Sequence, residues 1–303
     1  MKKILLFISL ILVMACKNKS KKEETKENKI TTVVTDDYEL IKSSELKGLL
    51  IVFPGGGSTS KETKEEFKII EKATEKGISV LLMNFNRHLW IEKKDSEQLT
   101  KLITETIEKY HLKTENIFIG GISIGGTIAL TLSNYLIETN TTINPKGVFV
   151  VDSPIDLFAL YQSSQKDILR KDFSVERLAE PKWIINYFEK EFGGKDSLLL
   201  NIQKVSPFTL KTRNVNNIKN LKSKKIRFYT EPDTLWWKKT RETDFESTNA
   251  YTLQKTNEVL KNKHWKNIKL IQTNDKGYRT TGEKKPHSWS IVDTDDLINW
   301  ILE

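Results

Sequence analysis

A serine between two closely spaced glycines is the feature of this sequence best suited to chemistry. The segment Gly121-Ile122-Ser123-Ile124-Gly125 follows an apolar run, 116–120, and precedes a helix-forming run, 127–137. A serine at a sharp strand-to-helix turn takes strained backbone angles, and side chains two residues away would collide as the strand and helix converge. Glycines remove those side chains. The spacing therefore predicts that Ser123 is a nucleophile at the tip of such a turn.

Apolar runs alternate with amphipathic runs over most of the chain. Six short runs predict buried strands, at 49–53, 78–83, 116–119, 148–151, 226–229 and 268–271. Between the first two, Thr59 and Glu62 can form a capping box, and Gly77 can end the helix. Strands that alternate with helices run parallel, with helices on both faces of the sheet. The predicted fold class is α/β, with a mostly parallel central sheet flanked by helices.

The segment 155–206 breaks this alternation. It contains several helical patterns before the chain returns to a strand at 226. An insertion at this point would lie over the carboxyl ends of the strands, where open α/β sheets bind ligands. Helical lids that gate active sites are built in this way. We therefore predict one domain, 30–303, with a helical lid insertion at about 155–206.

A serine nucleophile needs a base within hydrogen-bond reach and a carboxylate that orients the base. His264 precedes the last predicted strand, whereas His287 follows it in the segment Lys285-Pro286-His287-Ser288. Only the loop after a parallel strand emerges at the edge of the sheet where Ser123 lies. This placement favours His287 as the base.

The carboxylate has three candidates. Asp233 follows the strand 226–229 in the segment Thr230-Glu231-Pro232-Asp233, where a turn should direct it toward the histidine loop. Glu231 is the nearest alternative, and Asp156, which follows the preceding strand, is the second. Aspartate after proline is also a common turn or helix-cap residue. We predict that Asp233 is the acid and keep the other two open.

Acyl transfer also needs hydrogen-bond donors for an oxyanion. The loop Phe53-Pro54-Gly55-Gly56-Gly57 follows the first buried strand, and glycines let backbone N–H groups point into a site without obstruction. We predict an oxyanion hole formed by Gly55 or Gly56 together with the N–H of Ile124. A phosphate-binding loop is disfavoured, because no Gly-Lys-Ser/Thr segment follows the glycines.

Together, the segments Pro54–Gly57 and Gly121–Gly125 with Asp233 and His287 resemble the α/β-hydrolase superfamily of serine esterases, lipases and peptidases. The resemblance covers about 47–303. It implies that the acid and the base follow the serine in the chain, which excludes the remaining histidines, at 88 and 111. It also implies a serine hydrolase, first of all a carboxylic ester hydrolase that acts on a small-molecule or acyl-ester substrate through an acyl-enzyme. Alternatives are a peptidase or acyltransferase with the same residues, or a non-catalytic ligand-binding lipoprotein.

Two features depart from the family pattern. Pro54 stands where many esterases carry a histidine before the glycines. The segment before 47 offers only 30–34 and 38–41 as strands, which predicts a shortened sheet. No metal or organic cofactor is implied, because His, Asp and Glu do not cluster at ligand spacing.

The N-terminus has the layout of a secretory signal. Lys2 and Lys3 precede an apolar stretch, 4–14, that is too short to cross a bilayer. The segment Leu12-Val13-Met14-Ala15-Cys16 resembles a lipoprotein lipobox, so we predict a signal peptide at 1–15 and acylation of Cys16, the only cysteine. The alternative is a signal peptide with a chance cysteine. Residues 16–29 lack apolar side chains after the cysteine and predict a disordered tether.

The formal net charge of +9 comes from dispersed lysines, many of which alternate with glutamates. Such patterns are typical of solvated helix faces, and nucleic-acid binding would need clustered cations with interleaved aromatics. The expected partners are the substrate and a membrane, through the lipid at Cys16, and not nucleic acid. We predict a place in the cell envelope, at the outer membrane or cell surface of a Gram-negative bacterium rather than the inner membrane.

Overall fold

Eight strands form one sheet in this computed structural model, which describes residues 30–303 apart from the side chains of 195 and 196. The strands are β1 Thr31–Val34, β2 Tyr38–Lys42, β3 Gly48–Phe53, β4 Ile78–Met83, β5 Ile117–Ile122, β6 Gly147–Val151, β7 Lys225–Thr230 and β8 Ile268–Gln272. Their order is β1-β2-β4-β3-β5-β6-β7-β8. The predicted signal peptide, Cys16 and the tether lie outside the described residues.

The sheet is mostly parallel, as predicted. β1 and β2 run antiparallel to their neighbours, and β3 to β8 are parallel to one another. The expectation of a shortened sheet is wrong, because both N-terminal segments form strands. β2 pairs with β4 from Tyr38↔Met83 to Ile41↔Val80, and its Tyr38, Leu40 and Ile41 side chains are buried. Burial of these residues attaches β2 to the sheet, and the largely exposed β1 pairs with β2 at the edge.

Ten α-helices accompany the strands in residues 30–303. They are α1 Ser60–Glu66, α2 Ile70–Glu75, α3 Lys93–Tyr110, α4 Ile124–Glu138, α5 Leu157–Asp167, α6 Val175–Phe192, α7 Lys195–Val205, α8 Thr234–Arg241, α9 Asn249–Asn262 and α10 Thr294–Leu302. One face of the sheet packs against apolar side chains of α3, α4 and α9. The other face packs against α10 and the α1–α2 region. Alternate side chains of β5, such as Phe118 and Ile119, enter opposite cores, so the sheet is covered on both faces.

The segment between β3 and β4 forms two helices where the spacing predicted one. Thr59 and Glu62 form the expected capping box at the start of α1, and Gly77 takes φ 85° just beyond the end of α2. Between the two helices Phe67 and Ile69 are buried. Phe67 stacks on Trp289 with ring centroids 4.2 Å apart. We attribute the break to this packing, which draws the backbone toward the sheet.

Helices α5, α6 and α7 lie between β6 and β7, within the segment where the sequence indicated an insertion. They share a separate apolar core with Trp90 and the partly buried Leu89 from the loop after β4. Phe188 and Phe192 of α6 contact the Trp90 ring at centroid distances of 5.7 Å and 4.7 Å. The insertion is therefore a packed helical unit attached over the sheet edge. None of the helices in the described part of the chain is long and apolar enough to span a bilayer.

Candidate active site

Ser123 lies at the junction between β5 and α4, with φ 55° and ψ −132°. This is a left-handed region that costs a non-glycine residue about 1–3 kcal/mol. A Cβ on Gly121 would lie 2.4 Å from the backbone carbon of Gly125, and a Cβ on Gly125 would lie 2.4 Å from the Pro54 carbonyl oxygen. Neither position can hold a side chain. At Gly121 the strand and helix converge, as the sequence suggested, whereas at Gly125 the obstacle is the backbone at the end of β3. The surrounding backbone thus holds Ser123 in a strained turn.

His287 is hydrogen-bonded to a carboxylate that directly follows β6. Its Nδ1 lies 2.6 Å from Asp152 Oδ2, and the two side chains are 24% and 4% exposed. An ionised carboxylate only accepts hydrogen bonds, so Nδ1 carries the proton and donates it. Thr230 Oγ1 donates to the other oxygen, Oδ1, at 2.9 Å. Asp152 thereby fixes both the orientation and the tautomer of the imidazole.

Backbone contacts hold Asp152 in an unusual conformation. Its φ is 40°, a left-handed value that aspartate tolerates better than most residues. Its N–H donates to the Tyr229 carbonyl at 2.8 Å, and its carbonyl accepts from Asn249 Nδ2 at 2.8 Å. The conformation is therefore fixed by three elements, β6, β7 and α9.

The structure does not bring Asp233 to His287, which corrects the pairing expected from the sequence. Asp233 caps α8, accepting from the Trp236 N–H at 2.9 Å, and its Oδ2 lies 2.8 Å from Lys284 Nζ. The Lys284 ammonium lowers the pKa of the Asp233 carboxyl. β6 lies between β5 and β7 in the sheet, so a carboxylate at the end of β6 is nearer to the elbow. Asp233 is therefore a helix-cap residue, which was the alternative to the catalytic acid in the sequence analysis.

Neither of the other two carboxylates considered from the sequence contacts His287. Asp156 caps α5 through the Ala159 N–H at 3.0 Å and accepts from the Leu210 N–H at 2.7 Å. Burial raises the pKa of the Asp156 carboxyl. The first contact caps α5 and the second ties its start to the segment after α7, so Asp156 has a structural role.

Glu231 supports the loop that carries His287. Its carboxylate is 2% exposed and accepts hydrogen bonds from the N–H groups of Lys276 at 2.7 Å and Gly277 at 3.1 Å. Thr273 Oγ1 donates to it at 3.0 Å. The residue thus anchors the start of the segment 273–287 to the end of β7.

Replacing Glu231 with glutamine should lower the free energy of unfolding by about 2 kcal/mol, because charge-assisted bonds are lost and an amide N–H₂ meets backbone donors. Denaturant titration measures the change. Glu283→Gln, at an exposed position of the same loop, is the matched control and should change the unfolding free energy by less than about 0.5 kcal/mol. Equal losses in both variants would show that the Glu231 contacts do not stabilise the loop.

The glycine loop after β3 lies against the elbow. A Cβ on Gly55 would lie 3.6 Å from the Ser123 Cβ, and a Cβ on Gly56 would lie 3.5 Å from Ile124 Cδ1. Ile124 is the first residue of α4, and the first N–H groups of a helix have no acceptor within it. The backbone donors proposed from the sequence are therefore close to Ser123, and their role as an oxyanion hole stays a prediction.

One cavity lies at the elbow. It has a volume of about 530 Å³ and is lined by Ser123, Ile124 and His287 together with side chains of α5, α6 and α8. Trp236 and Trp237 of α8 and Trp183 of α6 supply aromatic surface. A second concavity, of about 510 Å³, lies beside α3 and α4 and contains no histidine. The cavity at the elbow therefore combines a hydroxyl, an oriented imidazole and room for a small molecule.

Asp152 is the site residue that the sequence-based predictions missed, although the sequence carries a signal for it. Asp152 comes directly after Val151, the last residue of β6, and β6 is the neighbour of β5. A carboxylate at that position points to the same edge as Ser123. Order along the chain favours Asp233, in the loop after β7, instead. The path of the histidine loop cannot be predicted from the sequence.

Comparison with known proteins gives a structural likeness without a sequence match: no protein-family model and no curated protein matches the chain. A mutant of the esterase E40 aligns with TM-score 0.55 and 13% identity, covering 91% of this chain and 84% of that one. An alpha-beta hydrolase from Vibrio vulnificus aligns with TM-score 0.51 and 16% identity, over 92% and 82%. An S-formylglutathione hydrolase from Agrobacterium tumefaciens gives 0.51 and 12%, over 90% and 93%. The chain has the α/β-hydrolase fold.

Proposed function

We propose that this protein is a serine hydrolase that cleaves carboxylic esters. The observation that carries the proposal is the hydrogen bond of 2.6 Å between His287 Nδ1 and the buried Asp152 carboxylate, in a cavity that His287 shares with the strained Ser123. A fold hosts many functions, so the site and not the fold must support the chemistry. The esterase and hydrolase names of the structural neighbours agree with the proposal.

In the proposed mechanism, Ser123 Oγ attacks the carbonyl carbon while His287 Nε2 takes the hydroxyl proton. Asp152 accepts the hydrogen bond from Nδ1 and stabilises the imidazolium that forms. The developing oxyanion lies against the N–H groups of Gly55 or Gly56 and Ile124. Collapse of the tetrahedral intermediate breaks the ester C–O bond, and the imidazolium protonates the departing alcohol.

Deacylation repeats the same steps with water. His287 removes a proton from a water molecule, whose oxygen attacks the acyl-enzyme carbonyl, and returns the proton to Ser123 Oγ as the acid leaves. Each residue thus returns to its starting state. Helices α5 and α6 form part of the cavity wall, which supports the proposal that they act as a lid that excludes bulk water.

Labelling with a fluorophosphonate tests the activation of Ser123. We expect an adduct at Ser123, found by peptide mass spectrometry, and its loss in His287→Ala, because the hydroxyl is a weak nucleophile without a base. His264→Ala is the matched control, since His264 does not line the cavity, and should label like the parent. An unlabelled parent protein that is folded would contradict the proposal.

We also propose, from the sequence alone, that the domain is held in the cell envelope by a lipid on Cys16. The lipobox resemblance and the charged segment 17–29 support this. The tether would let the domain reach substrate away from the bilayer surface. A Cys16→Ser variant that stayed in the membrane fraction of the producing cells would contradict the anchor.

A further inference from the structure

Besides Arg177 of α6, two cations line the cavity that contains His287. Lys285 precedes His287 by two residues, and Arg241 is the last residue of α8. Arg241 lies four residues after Trp237, which also lines the cavity, so the two share one helix face. A guanidinium beside an indole ring provides an anion-binding group next to an apolar surface.

Neither cation has a carboxylate partner. Among the side chains that the structure describes in residues 30–303, no carboxylate oxygen lies within 4.0 Å of the Lys285 ammonium or the Arg241 guanidinium. Two other cations of this region do have carboxylate partners: Lys284 pairs with Asp233 at 2.8 Å, and Arg177 pairs with Glu242 at 2.7 Å. The nearby ion pairs thus leave Lys285 and Arg241 available to a ligand.

The Lys285 ammonium is in an unfavourable environment for a charge. Burial, and then the positive charges of Arg279 and Arg241, lower the pKa of Lys285, while the carboxylates of Glu283 and Glu66 act more weakly in the opposite direction. A half-buried cation beside other cations is destabilised unless an anion joins it. An anionic ligand group would relieve this repulsion.

The carboxylates of the cavity come from a different part of the chain. Asp167 ends α5, and Glu176 and Glu180 lie in the first turns of α6. Burial raises the pKa of Asp167, and Arg177 of α6 acts more weakly in the opposite direction. The insertion therefore contributes the acidic groups, whereas α8 and the histidine loop contribute unpaired positive charge.

We propose that the substrates are esters that carry a free carboxylate, bound by Lys285 and Arg241 while the ester carbonyl lies at Ser123. This inference rests on the proposed hydrolase function and names its substrate class. Arginine and lysine bind carboxylates through charge-assisted hydrogen bonds, which are about twice as strong as neutral ones. Trp236 and Trp237 would pack against the apolar part of the same molecule.

Two pairs of esters test the inference with the described domain, residues 30–303. The first pair is the para-nitrophenyl monoester of adipic acid and its neutral terminal amide, which place the charge on the acyl side. The second is para-acetoxybenzoate and para-acetoxybenzamide, which place it on the leaving group. We expect kcat/KM to favour the anionic member of at least one pair by about 10-fold or more.

Charge-removing variants then identify the cations responsible. Lys285→Gln and Arg241→Gln should each reduce the ratio of anionic to neutral kcat/KM several-fold and raise KM for the anionic ester, whereas Lys285→Arg should keep the ratio. Lys238→Gln removes an exposed cation of α8 that does not line the cavity and is the control for net charge. Because Lys285 and Arg241 lie on separate elements, loss of folding in one variant leaves the other as a test.

The outcomes separate this inference from the proposed function. Hydrolysis of the neutral esters with no preference for either anionic ester would overturn the inference and leave the hydrolase intact. An equal fall of the ratio in Lys238→Gln would show that general charge, and not these two side chains, sets the preference. No turnover of any ester, with no fluorophosphonate adduct, would overturn both.

Discussion

Replacing Ser123 with alanine should lower kcat for ester hydrolysis by at least about 10³-fold, because the covalent step has no other nucleophile. The variant should stay folded, since alanine has the same backbone restrictions as serine at φ 55° and loses only the hydroxyl oxygen. Steady-state turnover of para-nitrophenyl butyrate measures the effect. Circular dichroism and a denaturant titration show whether the fold is kept.

Ser133→Ala is a matched control on the same helix. Ser133 lies in α4, and its buried Oγ has no hydrogen-bond partner among the described residues, so the substitution removes a hydroxyl without breaking a hydrogen bond. We expect kcat to change less than about 2-fold, because Ser133 does not line the cavity and its replacement breaks no hydrogen bond. Substantial turnover by Ser123→Ala, with Ser133→Ala unchanged, would mean that hydrolysis proceeds without Ser123.

The elbow could be predicted from the sequence because its glycine spacing is that of a recurrent strand-to-helix turn. Only glycine fits at both positions. A Cβ on Gly121 would lie 2.4 Å from the backbone carbon of Gly125 in the same turn, and a Cβ on Gly125 would lie 2.4 Å from the carbonyl oxygen of Pro54 in the loop after β3. Such contacts recur whenever a parallel strand turns into a helix beside another strand. The six buried strands could likewise be predicted, because continuous apolar runs indicate burial on both faces of a sheet.

The acid could not be chosen from the sequence because its choice depends on long-range geometry. His287 is 135 positions from Asp152 in the chain, and its position depends on the path of the segment 273–287. Glu231 directs that path by binding the N–H groups of Lys276 and Gly277. None of these contacts follows from local pattern. The carboxylate nearest to the end of β7 therefore anchors the loop, and the one at the end of β6 meets the imidazole.

Asp152→Asn should lower kcat/KM for ester hydrolysis by about 10³- to 10⁴-fold with the fold retained. The asparagine amide can donate to His287 Nδ1, which would move the ring proton to Nε2 and leave no lone pair to accept the Ser123 proton. Its carbonyl oxygen can still accept the bond from Thr230, so the residue keeps its place. The loss should appear in kcat and in the rate of fluorophosphonate labelling, because both need an activated hydroxyl.

Asp233→Asn is the discriminating counterpart. Asparagine caps helices about as well as aspartate, so the cap of α8 should persist, and the partly exposed pair with Lys284 contributes at most about 1 kcal/mol. Because the fold loses so little stability, we expect kcat/KM to stay within about 3-fold of the parent value. The two variants differ only in which carboxylate loses its charge. A collapse of activity in Asp233→Asn beside an active Asp152→Asn would require the histidine loop to move toward α8 in the working enzyme, since the imidazole can take only one carboxylate at Nδ1.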